Sequence, residues 1–358
     1  MICTIFGIVM IYSMTSSYGW AKYVVVQGFA MFLGIGAFVV FTVIDPDLIA
    51  DKWVYLTIFN VLFIVGLIFF GKGDEVGSRA WYRFAGIGVQ PSEIVKVIFI
   101  VLIAKQMATY KEQRTLNKFP SVLKLGIHWA LYFGLITVIP NDLGSALIFL
   151  AIFVVMLICA GIAWYWMAAA AAVVAAMIPL FWNFFLADYQ KNRILAPYIP
   201  DVVDPTGQGI TWQMNLCKDA LASGRWTGVG FGEGSFSQSS YNPTHTECIF
   251  ASIGEELGMV AGIIIIVLLS IIIIRCCIIG VRSGSPFGML ICFGVATALA
   301  FQTFINIGMC IGITPVIGIT LPFFSYGGSS IVAMYAAVGL VSGVKYRPKP
   351  RQNFLQYQ

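Results

Sequence analysis

What a chain can fold into is limited first by its long apolar runs, and this one carries ten. They cover roughly 1–13, 22–44, 53–70, 92–109, 122–139, 144–161, 163–186, 248–275, 287–311 and 325–344. About 20 mostly apolar residues in helical conformation cross the ~30 Å hydrocarbon core of a bilayer. Composition closes off the soluble alternative. Charged residues are 10% of the chain and hydrophobic residues 59%, with a mean hydropathy of +0.89, whereas a soluble domain has about 25% charged residues. The expected fold class is an all-α polytopic membrane protein, with about ten transmembrane helices, broken or re-entrant segments and one large extracellular loop. A single integral membrane domain spans 1–358. Disorder, a nucleic-acid-binding module and a secreted disulfide scaffold are excluded as the main organisation.

The first run is short, and Met1 opens directly into Ile-Cys-Thr-Ile-Phe without the basic region of a cleaved signal peptide. Orientation follows from Lys and Arg in the short connections. With the N-terminus inside, the cytoplasmic segments hold Lys52, Lys105, Lys111, Arg114, Lys118, Lys124, Arg275, Arg282, Lys345, Arg347, Lys349 and Arg351. The short external ones hold Lys22, Lys72, Arg79 and Arg83. Twelve against four places both termini in the cytoplasm and the long segment 187–247 outside. That segment, rich in Gly, Pro, Ser and Trp, reads as a small folded cap. Its run Gly224-Arg-Trp-Thr-Gly-Val-Gly-Phe-Gly-Glu-Gly234 has too many glycines for a helix. It lacks the strand-before, helix-after context of a dinucleotide site, and no P-loop is present. No internal repeat stands out. Six of the eight cysteines lie in apolar runs and no Cys-x-x-Cys occurs, so they read as small hydrophobes.

Ionisable groups at membrane depth are costly unless partnered or hydrated, which makes them the informative residues. Four places stand out. Gly77-Ser-Arg-Ala-Trp-Tyr-Arg83 precedes Gln90-Pro-Ser-Glu-Ile-Val-Lys96. Glu93 and Lys96, three apart on a helix begun by Pro91, form either a local ion pair or part of a cationic pocket. With Arg79 and Arg83, and Trp81 at the headgroup level, Lys96 would suit a phosphate-bearing ligand. Asn141-Asp142-Leu-Gly-Ser145 places a carboxylate between two apolar runs, as a helix N-cap or as a partner for a buried cation. Thr244-His-Thr-Glu247 precedes Gly254-Glu-Glu-Leu-Gly258. Glu247 is placed to complement the dipole at a helix start, and His245 beside a carboxylate is either an acid/base element or a loop histidine. Glu255 and Glu256 are expected on different helical faces, so that at most one meets a given cavity. Last, Asn306, Gly312-Ile-Thr-Pro-Val-Ile-Gly318 and Leu321-Pro-Phe-Phe-Ser-Tyr-Gly-Gly-Ser-Ser330 break the helical pattern. Broken backbone at that depth must line a cavity or be buried in protein. Ser325, Ser329 and Ser330 ahead of a helix suit an anion.

These motifs together resemble the SEDS (shape, elongation, division and sporulation) proteins, the RodA/FtsW group. The resemblance rests on Gly-Ser-Arg-x-Trp at 77–81, Gln-Pro-Ser-Glu-x-x-Lys at 90–96 and Asp-Leu-Gly-Ser-Ala at 142–146. It continues in Tyr189-Gln-Lys-Asn-Arg193, Pro243-x-His-Thr, Ile-Phe-Ala-x-Ile-Gly-Glu-Glu-Leu-Gly at 249–258 and Leu-Pro-Phe-Phe-Ser-Tyr-Gly-Gly-Ser-Ser at 321–330. The short tails look RodA-like. The resemblance implies a peptidoglycan glycosyltransferase that polymerises lipid II at the outer face of a bacterial cytoplasmic membrane during elongation. It would work beside a class B penicillin-binding protein and other elongation or division machinery, with no nucleic acid involved. Two departures are visible. The family's Asp after His-Thr, regarded as catalytic, is Glu247 here, and its Gln-Pro-Asp-Leu-Gly-Thr is Pro140-Asn-Asp-Leu-Gly-Ser145.

Joining two lipid-linked disaccharides needs a carboxylate to take the acceptor proton and cations to hold the pyrophosphate. Glu247 is expected as base. Arg79, Arg83, Lys96, Lys191 and Arg193 are expected at the pyrophosphate, with Trp81 and Ser325, Ser329 and Ser330 lining the cavity. Glu93, Asp142, Glu255, Glu256 and His245 are expected to orient the charges. No dedicated metal motif exists, and a divalent cation as cofactor is left open. A lipid-precursor flippase or other transporter, and a non-catalytic scaffold, are the competing classes.

Overall fold

The computed structural model describes all residues except 17–18, 73–78, 85–86, 187, 240–241 and 347–358. Gly77 and Ser78, and the basic residues from Arg347 onward, lie outside the described residues. The chain begins with α1 (Ile2–Thr15), α2 (Trp20–Val43), the single turn α3 (Pro46–Ala50), and α4 (Trp53–Val65) continued by α5 (Leu67–Phe70). A small antiparallel hairpin follows, β1 (Tyr82–Phe84) and β2 (Ile87–Val89), with Arg83 opposite Gly88. Next come α6 (Pro91–Glu112), α7 (Phe119–Val138), α8 (Leu143–Ala160) and α9 (Trp164–Leu180), which runs on as a π-helical turn (Phe181–Phe185). The segment 187–247 carries α10 (Asp188–Leu195), α11 (Pro200–Val203), α12 (Trp212–Gly224) and a 3₁₀ turn (Asn242–His245). Then α13 (Ile249–Arg282), α14 (Pro286–Ile311) and α15 (Gly328–Tyr346) complete the fold.

Among the described residues, eight helices are long and apolar enough to cross a membrane. Two of the ten expected spans fall outside that set. Helix α1 has only 14 residues, and α6, with 22, carries Glu93, Lys96, Lys105, Lys111 and Glu112. The hairpin is a local departure from an all-helical chain.

Burial sorts the helices. Most of α6, α8, α14 and α15 faces inward, whereas α2, α4, α7 and α9 are largely exposed, and no described residue of α9 is buried. An exposed Phe or Val costs nothing when the surroundings are hydrocarbon, so the outer helices need little interior of their own. Small residues bring the inner ones close. A Cβ on Gly339 of α15 would lie 2.6 Å from the Phe38 carbonyl oxygen of α2, and only glycine permits that approach.

Two places break the regular pattern. Inside α13, Gly258 sits at φ 75°, ψ −179°, so the helix bends and loses its hydrogen bonds there. The Gly-rich run supplies replacements: Val229 and Gly230 N–H groups donate to the Glu255 and Glu256 carbonyls at 2.9 and 3.1 Å. In return, Met259 and Val260 N–H groups donate to Arg225 and Trp226 at 2.8 and 3.3 Å. The glycines are therefore a backbone clasp on a bent helix. The second break is 312–327, between α14 and α15, where Phe323 adopts a left-handed φ of 67°.

Candidate functional site

Segment 312–327 has little regular structure, so side chains must satisfy its backbone. Asn306 Nδ2 on α14 donates to the Ile319 and Glu247 carbonyls, both at 2.7 Å. Gln27 of α2 donates to the Ser325 carbonyl at 2.9 Å and accepts from Gly327 N at 3.1 Å. Ser325 Oγ accepts from Leu321 N at 2.8 Å and donates to the Thr246 carbonyl at 2.6 Å. Tyr326 N donates to the His245 carbonyl at 2.9 Å. The broken segment is thus tied directly to Thr246, Glu247 and His245.

On this side, Glu247 is half-buried. Its Oε2 lies 3.4 Å from Gln213 Nε2 of α12, and Oε1 faces Gly318, whose added Cβ would sit 3.2 Å away. His245 is buried, with its ring against Tyr23 and Tyr326 at centroid distances of 4.8 and 5.5 Å. Burial pushes its imidazole down to about 4, so it is neutral at pH 7. Beneath Glu247, the buried Cys217 thiol hydrogen-bonds with Cys248 and Cys310, which together with desolvation pushes it far above the usual thiol range. These three pack as small apolar groups.

On the other side of the segment, the N-termini of α6, α8 and α15 meet. Gln90 N donates to Ser329 Oγ at 3.1 Å, and Ser145 Oγ to Ser92 Oγ at 3.2 Å. Asp142 caps α8 through Ser145 N at 2.9 Å and accepts from Gln90 Nε2 at 3.1 Å. Glu93 and Lys96 pair at 2.9 Å, only 4% and 3% exposed. Glu93 also accepts from Ser330 Oγ at 3.4 Å and Gln302 Nε2 at 3.5 Å. The segment touches both groups: a Cβ on Gly144 would lie 2.6 Å from the Ile317 carbonyl oxygen, and one on Gly318 would lie 3.2 Å from Glu247 Oε1.

The structure therefore brings Glu93, Lys96, Asp142, Ser329 and Ser330 together, and Glu247, His245 and Ser325 together, with 312–327 between the two groups. It places the remaining expected residues elsewhere. Arg79 and Arg83 are exposed at the hairpin, and Trp81 is half-buried against Gly88. On α10, Lys191 pairs with Asp188 at 3.4 Å and Arg193 is half-buried.

Glu255 and Glu256 do not diverge to separate environments. Both carboxylates are buried under 232–238. Glu255 accepts from Ser235 Oγ, Phe236 N and Ser237 N at 3.1, 3.0 and 2.8 Å. Glu256 accepts from Ser237 Oγ, Gly232 N and Ser13 Oγ, the last at 2.7 Å. The loop wraps over a helix already bent at Gly258, so two adjacent side chains reach one segment. Their described partners are amides and hydroxyls, which makes them loop anchors.

Four contributors escape a reading by charge alone. Gln27, Gln302 and Gln213 are neutral amides, and Lys218 of α12 counts only as one more basic residue of the long segment. Its side chain lies over Gly312. A lone amide inside an apolar run is the signal that could have found Gln27 and Gln302.

The family model described as "Cell cycle protein" (FtsW, RodA, SpoVE) matches residues 1–349. The chain belongs to the FtsW/RodA/SpoVE family. Among family relatives, the peptidoglycan glycosyltransferase MrdB of Escherichia coli (strain K12) is 32% identical over 318 residues, covering 87% of this chain and 82% of that one. The probable peptidoglycan glycosyltransferase FtsW of Geobacter metallireducens is 31% identical over 358 residues, covering 97% and 92%. Two solved structures share the fold. One, from work on "structural coordination of polymerization and crosslinking by a peptidoglycan synthase complex", has a TM-score of 0.79 at 24% identity, over 97% of this chain and 96% of that one. The other, the rod shape determining protein RodA of Thermus thermophilus, has a TM-score of 0.70 at 21% identity, over 97% and 95%.

Proposed function

We propose that this chain is a peptidoglycan glycosyltransferase that polymerises lipid II, with Glu247 as general base. One observation carries the residue assignment. Glu247 is half-buried, whereas Glu93, Glu255 and Glu256 are sealed in hydrogen bonds and are each at most 4% exposed. A base must reach its substrate. Asp142, also half-buried, is engaged as a helix cap.

In the reaction, an acceptor sugar hydroxyl attacks the anomeric carbon of the donor. The new C–O bond forms as the bond to the polyprenyl pyrophosphate breaks, and the hydroxyl proton passes to the Glu247 carboxylate. The leaving pyrophosphate takes up the electron pair. Charge developing there is favoured by the meeting N-termini of α6, α8 and α15 with Ser329 and Ser330, whose peptide dipoles point their positive ends at one region. Arg79, Arg83, Lys191 and Arg193 would recruit the pyrophosphate from the membrane surface, with Trp81 at the headgroup level. Lys96, held by Glu93, would add positive charge from below. Residues 187–247 would form the external cap, both termini would be cytoplasmic, and a class B penicillin-binding protein would be the partner that crosslinks the product. The family membership and the names of its relatives support this reading.

The test is polymerisation of labelled lipid II by purified protein with its partner, in detergent, where transport has no meaning. Glu247→Gln should lower the rate by about 10²–10⁴, and Glu247→Asp should retain activity. A folded Glu247→Gln protein working at the parental rate would remove Glu247 from the mechanism.

A further inference from the structure

At the opposite end of the bundle from Glu93, about 30 Å away along α6 at 1.5 Å per residue, a cavity of about 450 Å³ opens between two turns. The end of α6 and its link to α7 contribute Lys111, Arg114, Asn117 and Lys118; the end of α8 contributes Ala160 and Gly161. No acidic residue lines it, and none of the three cations has an ion pair among the described residues.

The cavity is held in shape. Arg114 takes a left-handed φ of 53°, and Thr115 N reaches back to the Tyr110 carbonyl at 2.8 Å, closing α6 with its basic residues turned outward. Asn117 ties the two walls together. Its side chain accepts from Ala163 N at 2.7 Å, and its carbonyl accepts from Trp166 Nε1 at 3.0 Å. Gly161 leaves the far wall open, since a Cβ there would meet nothing within 4 Å.

An exposed apolar track begins at the rim. Phe119, Leu123 and Ile127 of α7 are 62%, 48% and 61% exposed and lie four residues apart, on one ridge of the helix. Phe119 also packs on Trp166 at 6.1 Å between centroids, and Trp164 beside it is exposed. Three cations with no ion pair among the described residues, at the end of an apolar ridge flanked by tryptophans, match an amphiphile with an anionic head.

We propose that this cavity binds the headgroup of an anionic glycerophospholipid: the phosphate would lie among Lys111, Arg114 and Lys118, and an acyl chain along the Phe119–Leu123–Ile127 ridge. The site is independent of the lipid II reaction and stands whether or not Glu247 is the base.

Native mass spectrometry of the purified full chain, titrated with phosphatidylglycerol or phosphatidylcholine, tests it. The parent should retain phosphatidylglycerol at least tenfold more tightly than phosphatidylcholine. Lys111→Gln/Arg114→Gln/Lys118→Gln should lose most of that preference, on the order of tenfold to a hundredfold. Lys124→Gln/Arg282→Gln, which removes two basic residues outside the cavity, should stay within about twofold of the parent. Should the triple variant fail to fold, Lys118→Gln alone should lose several-fold while Arg114→Lys keeps the affinity. Equal binding by the cavity variants and the control would overturn the proposal. So would displacement of the lipid by millimolar inorganic phosphate, which would make the cavity a soluble-anion site.

Discussion

Asn306 donates a 2.7 Å hydrogen bond to the main-chain carbonyl of Glu247, across 59 residues of sequence. The same Nδ2 holds the Ile319 carbonyl at 2.7 Å, so one amide fixes the carboxylate-bearing turn against the broken segment. Asn306→Ala should remove the hydrogen bonds to the buried Ile319 carbonyl and the part-buried Glu247 carbonyl, at a cost of about 1–3 kcal/mol for the former. Its melting temperature in detergent should fall. Lipid II polymerisation should drop at least tenfold, mostly in kcat. An Asn306→Ala protein with parental kcat would show that the Glu247 backbone is held by other contacts.

Breaking the Glu93–Lys96 pair on one side strands a buried charge. Glu93→Gln or Lys96→Met alone should cost about 3–5 kcal/mol, and Glu93→Gln/Lys96→Met together should recover much of it. A thermal-denaturation double-mutant cycle reads the coupling, and additive losses would mean that the pair is not coupled.

Gly258 cannot accept a side chain. An added Cβ would lie 2.3 Å from the Trp226 carbonyl oxygen at a φ of 75°. Gly258→Ala should destabilise by about 3 kcal/mol or more and expose the 225–230 clasp to limited proteolysis. Gly126→Ala, where a Cβ meets nothing within 4 Å, is the matched control and should be nearly neutral.

His245 makes stability depend on pH. Its folded pKa of about 4 lies below the ordinary 6.5 because the ring is buried. The unfolded chain therefore takes up the proton first as pH falls. Stability is fully present above about 6.5, declines between 6.5 and 4, and has lost up to ~3 kcal/mol at the lower limit. Melting curves at pH 7.5 and 5.0 should differ more for the parent than for His245→Gln. Equal differences would assign the pH response to other groups.

The helical runs were legible because hydropathy is a local property. Each predicted run overlaps an observed helix, most within a few residues, as with 287–311 against Pro286–Ile311, though 248–275 stops seven residues short of Arg282. The breaks were legible too, since Gly and Pro at 312–327 defeat a helix in any context. Glu255 and Glu256, expected on separate faces, both accept from the segment 232–238. Helical periodicity fixes where a Cα sits, yet it does not reveal that a loop 20 residues upstream wraps over the helix. Gln27 escaped notice for a related reason. An uncharged amide gives little signal until the backbone it must satisfy, at Ser325 and Gly327, is brought beside it.

The sequence by itself determined that the chain lives in a membrane, which stretches are helical, and which few residues carry charge where charge is costly. Those follow from transfer free energies that each segment pays alone. Only the tertiary structure decided which charges pair with each other and how deeply each is buried. Lys96 is buried against Glu93 and both loop-anchoring glutamates are sealed, while Glu247 stays half-buried beside Gly318. Pairing depends on distances between segments far apart in the chain, and packing alone sets those distances.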